Sequence, residues 1–477
     1  MPLNEQNINP DAPLDWRTTP EAAALLPTTP DEPLLTTMPL SRAILKLAGP
    51  AIGSMIFIMI FGLVDVWWVG KLGADQLAGV SAASFIVWAL QSVGTLVSTG
   101  VNAMVARQFG AKQNRMAGLV IGQALILAIA ISISSSAIGL LVQKVTFVKM
   151  GLRGEVLTAA LDYMQVILYG LPAIFLAFAL DAAFRGMGDT KTPLKIISVG
   201  LTLNMLLDPL LIFGTGPFPE MGASGAALAT IIAHILIVVW AAALLQRRDI
   251  DVRFRTDQNN FFDWPLMWQL AKIGAPVAVN GFLFSLSYMA LTHIITGFGP
   301  GPLAAIGIGH RIEGLSYNIA VGFSFAAATL VGQNLGAGKP RRAQKAVWLN
   351  ILYISIFLAF ASALFYFFGE TIFAFFIDEQ EVIQEGAGYL QIIAIFEIFL
   401  GFEIVFEGAF AGAGNTVPPM LISVPLTWAR IPLALFLAHN MDMGSQGVWW
   451  AISTTTGLKG VVMAFWFRRG RWKEKQV

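Results

Sequence analysis

The sequence predicts an all-α membrane protein: twelve transmembrane helices in two pseudo-symmetric six-helix bundles. Three observations predict it. The chain of 477 residues is 56% hydrophobic and only 12% charged, against roughly 25% charged residues in a soluble domain. Apolar runs near the ~20 residues that span a bilayer recur along it. And it is written twice. Lys46-Leu-Ala-Gly-Pro50 returns as Lys272-Ile-Gly-Ala-Pro276, Gly110-Ala111 as Gly336-Ala337, Arg115 as Arg341, and Gly188-Asp-Thr190 with Pro193 as Gly414-Asn-Thr416 with Pro419, each pair 226 residues apart. Near the end of each half Met221-Gly222-x-x-Gly225 returns as Met443-Gly444-x-x-Gly447, four residues short of that spacing. A repeat this long in a chain this apolar points to a duplicated membrane bundle with a pathway between its halves.

Taken in order, residues 1–40 hold Pro2, Pro10, Pro13, Pro20, Pro27, Pro30, Pro33 and Pro39 among polar and acidic residues and read as a disordered tail. They lack a basic start followed by an apolar core, so they are not a secretory signal, and Glu21 to Leu26 form a short amphipathic piece. The N-terminal six-helix lobe covers 41–246, with spans at about 44–70, 76–107, 115–142, 155–184, 192–214 and 222–246. Residues 247–263 are a polar linker carrying Arg247, Arg248, Asp249, Asp251, Arg253 and Arg255. The C-terminal lobe covers 264–468, with spans at about 268–297, 302–334, 342–368, 386–411, 416–438 and 445–467, and a basic tail fills 469–477. Pro50 and Pro276 sit at matched places early in the first span of each half and are the hinge candidates, against the plainer reading of a fixed bend.

Orientation follows from the placement of positive charge. Arg107, Lys112 and Arg115, then Arg185, Lys191 and Lys195, the linker, Lys339, Arg341, Arg342 and Lys345, and finally Arg468 to Lys475 all fall on one side. Both termini are therefore expected in the cytoplasm, and six spans per half make the halves parallel repeats about an axis along the membrane normal. Lys144, Lys149 and Arg153 fall on the other side, an exception to the pattern.

The repeat also sorts scaffold from chemistry. A residue present in both halves serves the shared architecture; a deep polar residue in one half only is a candidate for function, because charge inside a span costs several kcal/mol. Asp65 in span 1 and Asn204 and Asp208 in span 5 meet that test: their partners at the 226-residue spacing are Leu291, Arg430 and Ala434. Asn204 and Asp208 share one helix face. At ~1.5 Å per residue, Asp65 and Asp208 each lie roughly 8–12 Å below the outer ends of their spans, and Thr230 in span 6 lies at ~12 Å. Two carboxylates, an amide oxygen and a hydroxyl make an all-oxygen set that can hold a hard cation such as Na⁺ or, since a buried carboxyl pair shares protons, H⁺. The plainer alternative has Asp208 capping backbone groups before Pro209 while Asp65 is merely paired. Asp181 maps onto Glu407 and reads as structural, with Asp181 pairing Arg185 one turn on.

The second half has its own set. Arg430 in span 11, Glu313 in span 8 and Glu397 in span 10 lie at nearly one depth, and a guanidinium in lipid needs partners. A Glu313–Glu397–Arg430 cluster is expected, as a structural lock or a substrate contact. Glu403, deeper along span 10, is placed to face a central cavity. His234, His293 and His310 are isolated and read as packing residues. The chain has no cysteine, which excludes disulfides and thiolate chemistry. Its net charge of +1 implies no nucleic-acid partner. No phosphate loop, His-Glu-x-x-His or Gly-x-Ser-x-Gly motif occurs. Transport driven by an ion gradient is the expectation that remains.

The residues also carry a resemblance. Asp65-Val-Trp-Trp-Val-Gly70-Lys-Leu-Gly73, Gly186-Met-Gly-Asp-Thr190 with its echo Gly412-Ala-Gly-Asn-Thr416, and Val331-Gly-Gln-Asn-Leu-Gly-Ala-Gly338 resemble the multidrug and toxic compound extrusion (MATE) transporters, over about residues 41–468. The resemblance implies two six-helix lobes around a cleft, alternating access, no cofactor, and export of small amphipathic, often cationic compounds in exchange for H⁺ or Na⁺. It implies a multi-pass protein of the plasma (inner) membrane, expected as a monomer. In the family's DinF-like branch a cation site in the N-terminal lobe matches Asp65, Asn204, Asp208 and, best in span 6, Thr230. The NorM-like branch relies on a carboxylate in span 7, where this chain offers Asn280, Phe284 and Ser285 and no acid; Glu397, Glu403 and Glu407 in span 10 leave a second site open. Two alternatives remain: a lipid-linked precursor flippase of the same superfamily, which would need several deep cations where this chain offers chiefly Arg430 and Arg311, and an integral membrane enzyme acting on lipids, whose clustered acids or histidines are missing.

Overall fold

The computed structural model describes residues 35–248, 250–254 and 260–475. Of the tail expected over 1–40, residues 1–34 with Glu21 to Leu26 lie outside the described residues, as do the linker residues Asp249 and Arg255. Residues 35–40 are not disordered, because Leu35, Thr36 and Met38 are buried and Lys339 and Arg342 donate to Thr36 O and Leu35 O at 3.0 and 3.2 Å. Twelve long helices follow one another: α1 (Leu40–Gly70), α2 (Ala74–Gly110), α3 (Asn114–Lys149), α4 (Gly154–Gly186), α5 (Lys191–Phe213), α6 (Ala223–Gln246), α7 (Trp264–Thr296), α8 (Pro300–Gly336), α9 (Pro340–Ala374), α10 (Gln380–Gly412), α11 (Val417–Leu435) and α12 (Ser445–Arg468). A π turn (Phe436–Asn440) extends α11, and a 3-10 turn (Arg471–Glu474) follows α12. No strand occurs among the described residues.

Eleven of these helices, taking α11 with its π turn, are long and apolar enough to cross a membrane. The remaining one, α12, has the length, at 24 residues, but Gln446, Thr454, Thr455, Thr456 and Lys459 dilute its apolar run. Each expected span falls on one helix. The ends differ most at α3, which continues to Lys149, because helical hydrogen bonding does not stop where an apolar run stops. Lys144 and Lys149, the exceptions to the charge pattern, are thus on the last turns of a long helix and not in a loop. The short basic tail is likewise more than a tail, since Trp472 is buried and stacks on Phe467 at 4.6 Å between centroids.

Residues common to both halves do the same structural work twice. Gly188 and Gly414 end α4 and α10 with positive φ of 86° and 69°, a conformation that costs glycine nothing. The amide after each closes the same turn, Asp189 onto Phe184 O and Asn415 onto Phe410 O, both at 2.9 Å. The threonines that follow donate to the first helix of their own half: Thr190 to Lys46 O at 3.3 Å and Thr416 to Ile273 O at 2.6 Å.

The halves exchange their first helices. Ahead of Pro50, Ala43, Ile44 and Leu47 of α1 bury in one core with Ala320, Phe323, Leu330 and Val347 of the second half. Ahead of Pro276, Leu266, Leu270 and Ile273 of α7 bury in the core of the first half with Val97 and Val101. At the end of the molecule that carries both described termini, α2 and α8 cross. A Cβ on Gly110 would strike the carbonyl of Gln333, and one on Gly336 the carbonyl of Arg107. Thr329 and Gln333 of α8 donate to Arg185 O and Gly186 O of α4, at 3.0 and 2.9 Å. The guanidinium of Arg185, paired with Asp181 at 2.7 Å as expected, lies 3.7 Å from the Phe325 ring centroid. That seam is closed.

The linker does not hang free. Buried Gln123 of α3 donates to Phe254 O and Phe261 O at 3.0 Å and accepts from Asp263 N at 2.9 Å. Gln123→Ala removes these bonds, at about 1 kcal/mol each. The expected result is several-fold faster tryptic cleavage at Arg253 in an otherwise intact chain; an unchanged rate would show that other packing holds the linker.

Candidate functional site

In the first half, α1 packs on α5, α5 on α6 and α4 on α6, so the inner faces of these four helices converge. The i, i+4 pair of α5 is wholly buried: Asn204 and Asp208 both have 0% exposure. Asn204 Nδ2 donates to Thr230 Oγ1 at 3.2 Å. Thr230 in turn donates to Ala226 O at 3.1 Å, so it presents a lone pair to the amide. Asp65 of α1 lies within electrostatic reach of Asp208, and both act on Tyr163 of α4. Asn204 and Thr230 are thus bonded to each other, and Asp208, on the same face of α5 as Asn204, is in electrostatic reach of Asp65.

What distinguishes the pocket is the number of acceptors without a donor. Asp65 Oδ1, Asn204 Oδ1 and both carboxylate oxygens of Asp208 are buried and accept no hydrogen bond. Asp208 therefore caps no backbone group, contrary to the plainer alternative. Buried acceptors of this kind are rare because each forfeits its hydration. A proton or a small hard cation would satisfy all of them, since both need oxygen lone pairs and nothing else. Among the described residues no group of three or more His, Cys, Asp or Glu could hold a metal ion. Tyr163 was not legible in the sequence; it is one aromatic among many, and only packing turns it to the acids.

The second half differs. Arg430 is buried but pairs with no acid among the described residues. Its Nε and Nη2 donate to Thr455 Oγ1 and Thr456 Oγ1 of α12 at 2.7 and 2.8 Å, and Nη1 lies 3.5 Å from the Tyr288 hydroxyl. Glu313 instead accepts from Tyr389 OH at 3.0 Å. Glu397, 1% exposed, lies beside Glu313 and Ser316. The expected Glu313–Glu397–Arg430 cluster is thus split: two acids on one side and the guanidinium on α12, with Tyr288 and His310 in electrostatic reach of both Glu313 and Arg430. Equal depth did not mean equal rotation about the helix axis. His234 is a packing residue bonded to Thr230 O at 2.7 Å. Glu403 does not face open space; it is buried against Lys459 of α12, Nζ to Oε1 at 2.9 Å. Glu407 accepts from Ser423 at 2.9 Å and Asn280 at 3.3 Å, tying α10 to α11 and α7.

Lys459 is the deep cation that the sequence reading passed over, while Arg311 proves exposed. A signal was available: Lys459 stands fourteen residues into α12 from Ser445, ~21 Å along the axis.

Comparison with known proteins accords with this architecture. The MatE family model matches residues 50–210 and again 276–436, the same 226-residue spacing found in the repeat. The probable multidrug resistance protein NorM of Thermotoga maritima is 27% identical over 438 residues, 91% of this chain and 94% of that one. A protein named FAD transporter from Shewanella oneidensis is 27% identical over 440 residues, covering 91% and 96%. Among solved structures, the outward-facing conformation of a multidrug resistance MATE family transporter superposes with a TM-score of 0.85 at 22% identity, over 93% of this chain and 98% of that one. These relatives are transporters of small molecules and not enzymes, and they leave no doubt that the helices are those of an integral, multi-pass membrane protein. With most of its length matched by two copies of one family model, the chain belongs to the MATE family of multidrug efflux transporters.

Proposed function

We propose that this transporter is a secondary antiporter that exports small amphipathic, often cationic compounds in exchange for H⁺ or Na⁺ bound at Asp65, Asn204, Asp208 and Thr230. One observation carries the reading: buried oxygens without donors in the first half, at positions where the repeat puts Leu291, Arg430 and Ala434 in the second. An ion that satisfies them favours whichever state holds the pocket tightest and so shifts the balance between outward- and inward-facing forms. The closed seam of α2 and α8 fits the outward-facing form if the termini are cytoplasmic, as the placement of Lys and Arg supports. Pro50 and Pro276 stand where α1 and α7 leave the opposite half's core, so they are the candidate hinges. The protein works as a monomer in the inner membrane, without a cofactor.

The site acids favour the DinF-like reading. The lipid-linked precursor alternative has less support, since none of the three buried cations among the described residues is free for a pyrophosphate: Arg430 is spent on two threonines, Lys459 on Glu403 and Arg185 on Asp181. The test is export of a cationic dye from proteoliposomes under an imposed Na⁺ gradient at matched pH with a proton ionophore, and under a pH gradient without Na⁺. Export under one gradient and not the other identifies the ion; export under neither removes the antiport reading.

A further inference from the structure

We propose that Glu403 and Glu407 form a second monovalent-cation site, in the C-terminal half, whose resident cation is the ammonium group of the chain's own Lys459. The inference stands apart from the N-terminal pocket and does not depend on it. Lys459 is 1% exposed, and its Nζ donates to Glu403 Oε1 at 2.9 Å. It lies in electrostatic reach of Glu407 as well, and 5.8 Å from the ring centroid of Phe284. The Arg430 guanidinium is in electrostatic reach of Lys459 too, and Ser423 Oγ and Asn280 Nδ2 both donate to Glu407 Oε1, which leaves Glu407 Oε2 without either of them. Such a set suits a small hard cation, and a tethered ammonium supplies the same single charge with three donors.

The pair needs a reason. Two charges removed from water recover their desolvation only in good geometry, and a buried ion pair is on average no better than packed apolar side chains. The positions pseudo-symmetric to the bonded pair take the apolar course: Glu403 maps onto Ala177, and Lys459, at the shorter spacing of the terminal repeat, onto Ile237, while Glu407 maps onto another acid, Asp181. A structural brace between α10 and α12 would need any bonded pair. A tethered counter-ion makes a sharper statement. The C-terminal carboxylates hold a cation that cannot leave, whereas the acids of the N-terminal pocket, with no donor, take theirs from solution. Within the C-terminal half the pair also differs from Glu397, whose two carboxylate oxygens are buried without a donor.

The test uses the full chain with the N-terminal acids silenced by Asp65→Asn and Asp208→Asn, so that its result is separate from antiport. Thermal unfolding is followed at pH 8.5 in sodium chloride and in choline chloride of equal ionic strength. With Lys459 present, both salts give the same midpoint. Lys459→Gln unfolds lower in choline, and sodium raises its midpoint by several degrees in a saturable manner. Adding Glu403→Gln abolishes that response. A sodium response that Glu403→Gln removes while Lys459 is still present overturns the proposal, because the site then takes external ions regardless. So does a Lys459→Gln chain that is indifferent to sodium, since the pair is then only a brace. Should Lys459→Gln fail to purify in choline, recovery in sodium supports the proposal and recovery in neither salt overturns it.

Discussion

Asp208→Asn is expected to cut ion-coupled export steeply while the protein keeps its fold. The carboxylate accepts no hydrogen bond and has 0% exposure, so the native state carries its desolvation without return from the protein. An amide of the same shape removes that cost, and the thermal midpoint should stay level or rise. The ion, by contrast, loses the oxygens that no other group replaces. Removing a coupling free energy of about 1–3 kcal/mol, the usual range between linked sites, lowers coupled flux by about 5- to 150-fold. Asp65→Asn should act alike, and the double variant should be little worse than either if both acids serve one ion, as proposed. Export of a cationic dye from proteoliposomes under the identified gradient measures this, with midpoints recorded in parallel. Undiminished flux in both single variants would sink the assignment of the site.

Gly336→Ala opens the seam. The added Cβ meets the carbonyl of Arg107, and backbone against backbone cannot be relieved by a side-chain rotation. Overpacking of this kind costs about 1–3 kcal/mol, and the cost falls only on states in which α2 and α8 are crossed. The expected result is a shift toward the form that is parted at the terminus-bearing end. The chain has no cysteine, so a single Ala106→Cys reports without background; Ala106 has 0% exposure and abuts Gly332. Its labelling by a water-soluble maleimide should rise by about 10-fold, the population change that ~1.4 kcal/mol brings. Gly110→Ala, against the carbonyl of Gln333, should do the same by symmetry. Labelling that does not change in either variant would mean that the lobes do not separate along this line.

These expectations rest on different kinds of information. That Asp65, Asn204 and Asp208 belong together came from depth and from the failure of the repeat to preserve them, both of which are properties of a linear string. Donorless oxygens were not visible there; they depend on what α4 and α6 bring alongside. The misplacement of Arg430 shows the limit well. A rotation of about 100° per residue decides whether its side chain meets Glu313 or the threonines of α12, and α11, interrupted by Pro425 and Pro432 and extended by a π turn, leaves that rotation undetermined. Lys459 and Tyr163 were passed over for a related reason: each is a single residue whose meaning lies in its neighbour.

The amino-acid order by itself determined the number of helices, their approximate ends, their duplication and the place of each polar residue along its helix. Hydropathy and turn chemistry act over short stretches, and a repeat needs only counting. The tertiary structure alone decided which faces meet: that α1 and α7 cross into the opposite half, that glycines close the seam, that Lys459 is bound to Glu403 while Asp208 has no partner. Helix rotation and crossing are set by close packing between segments far apart in the chain, and no local pattern encodes them.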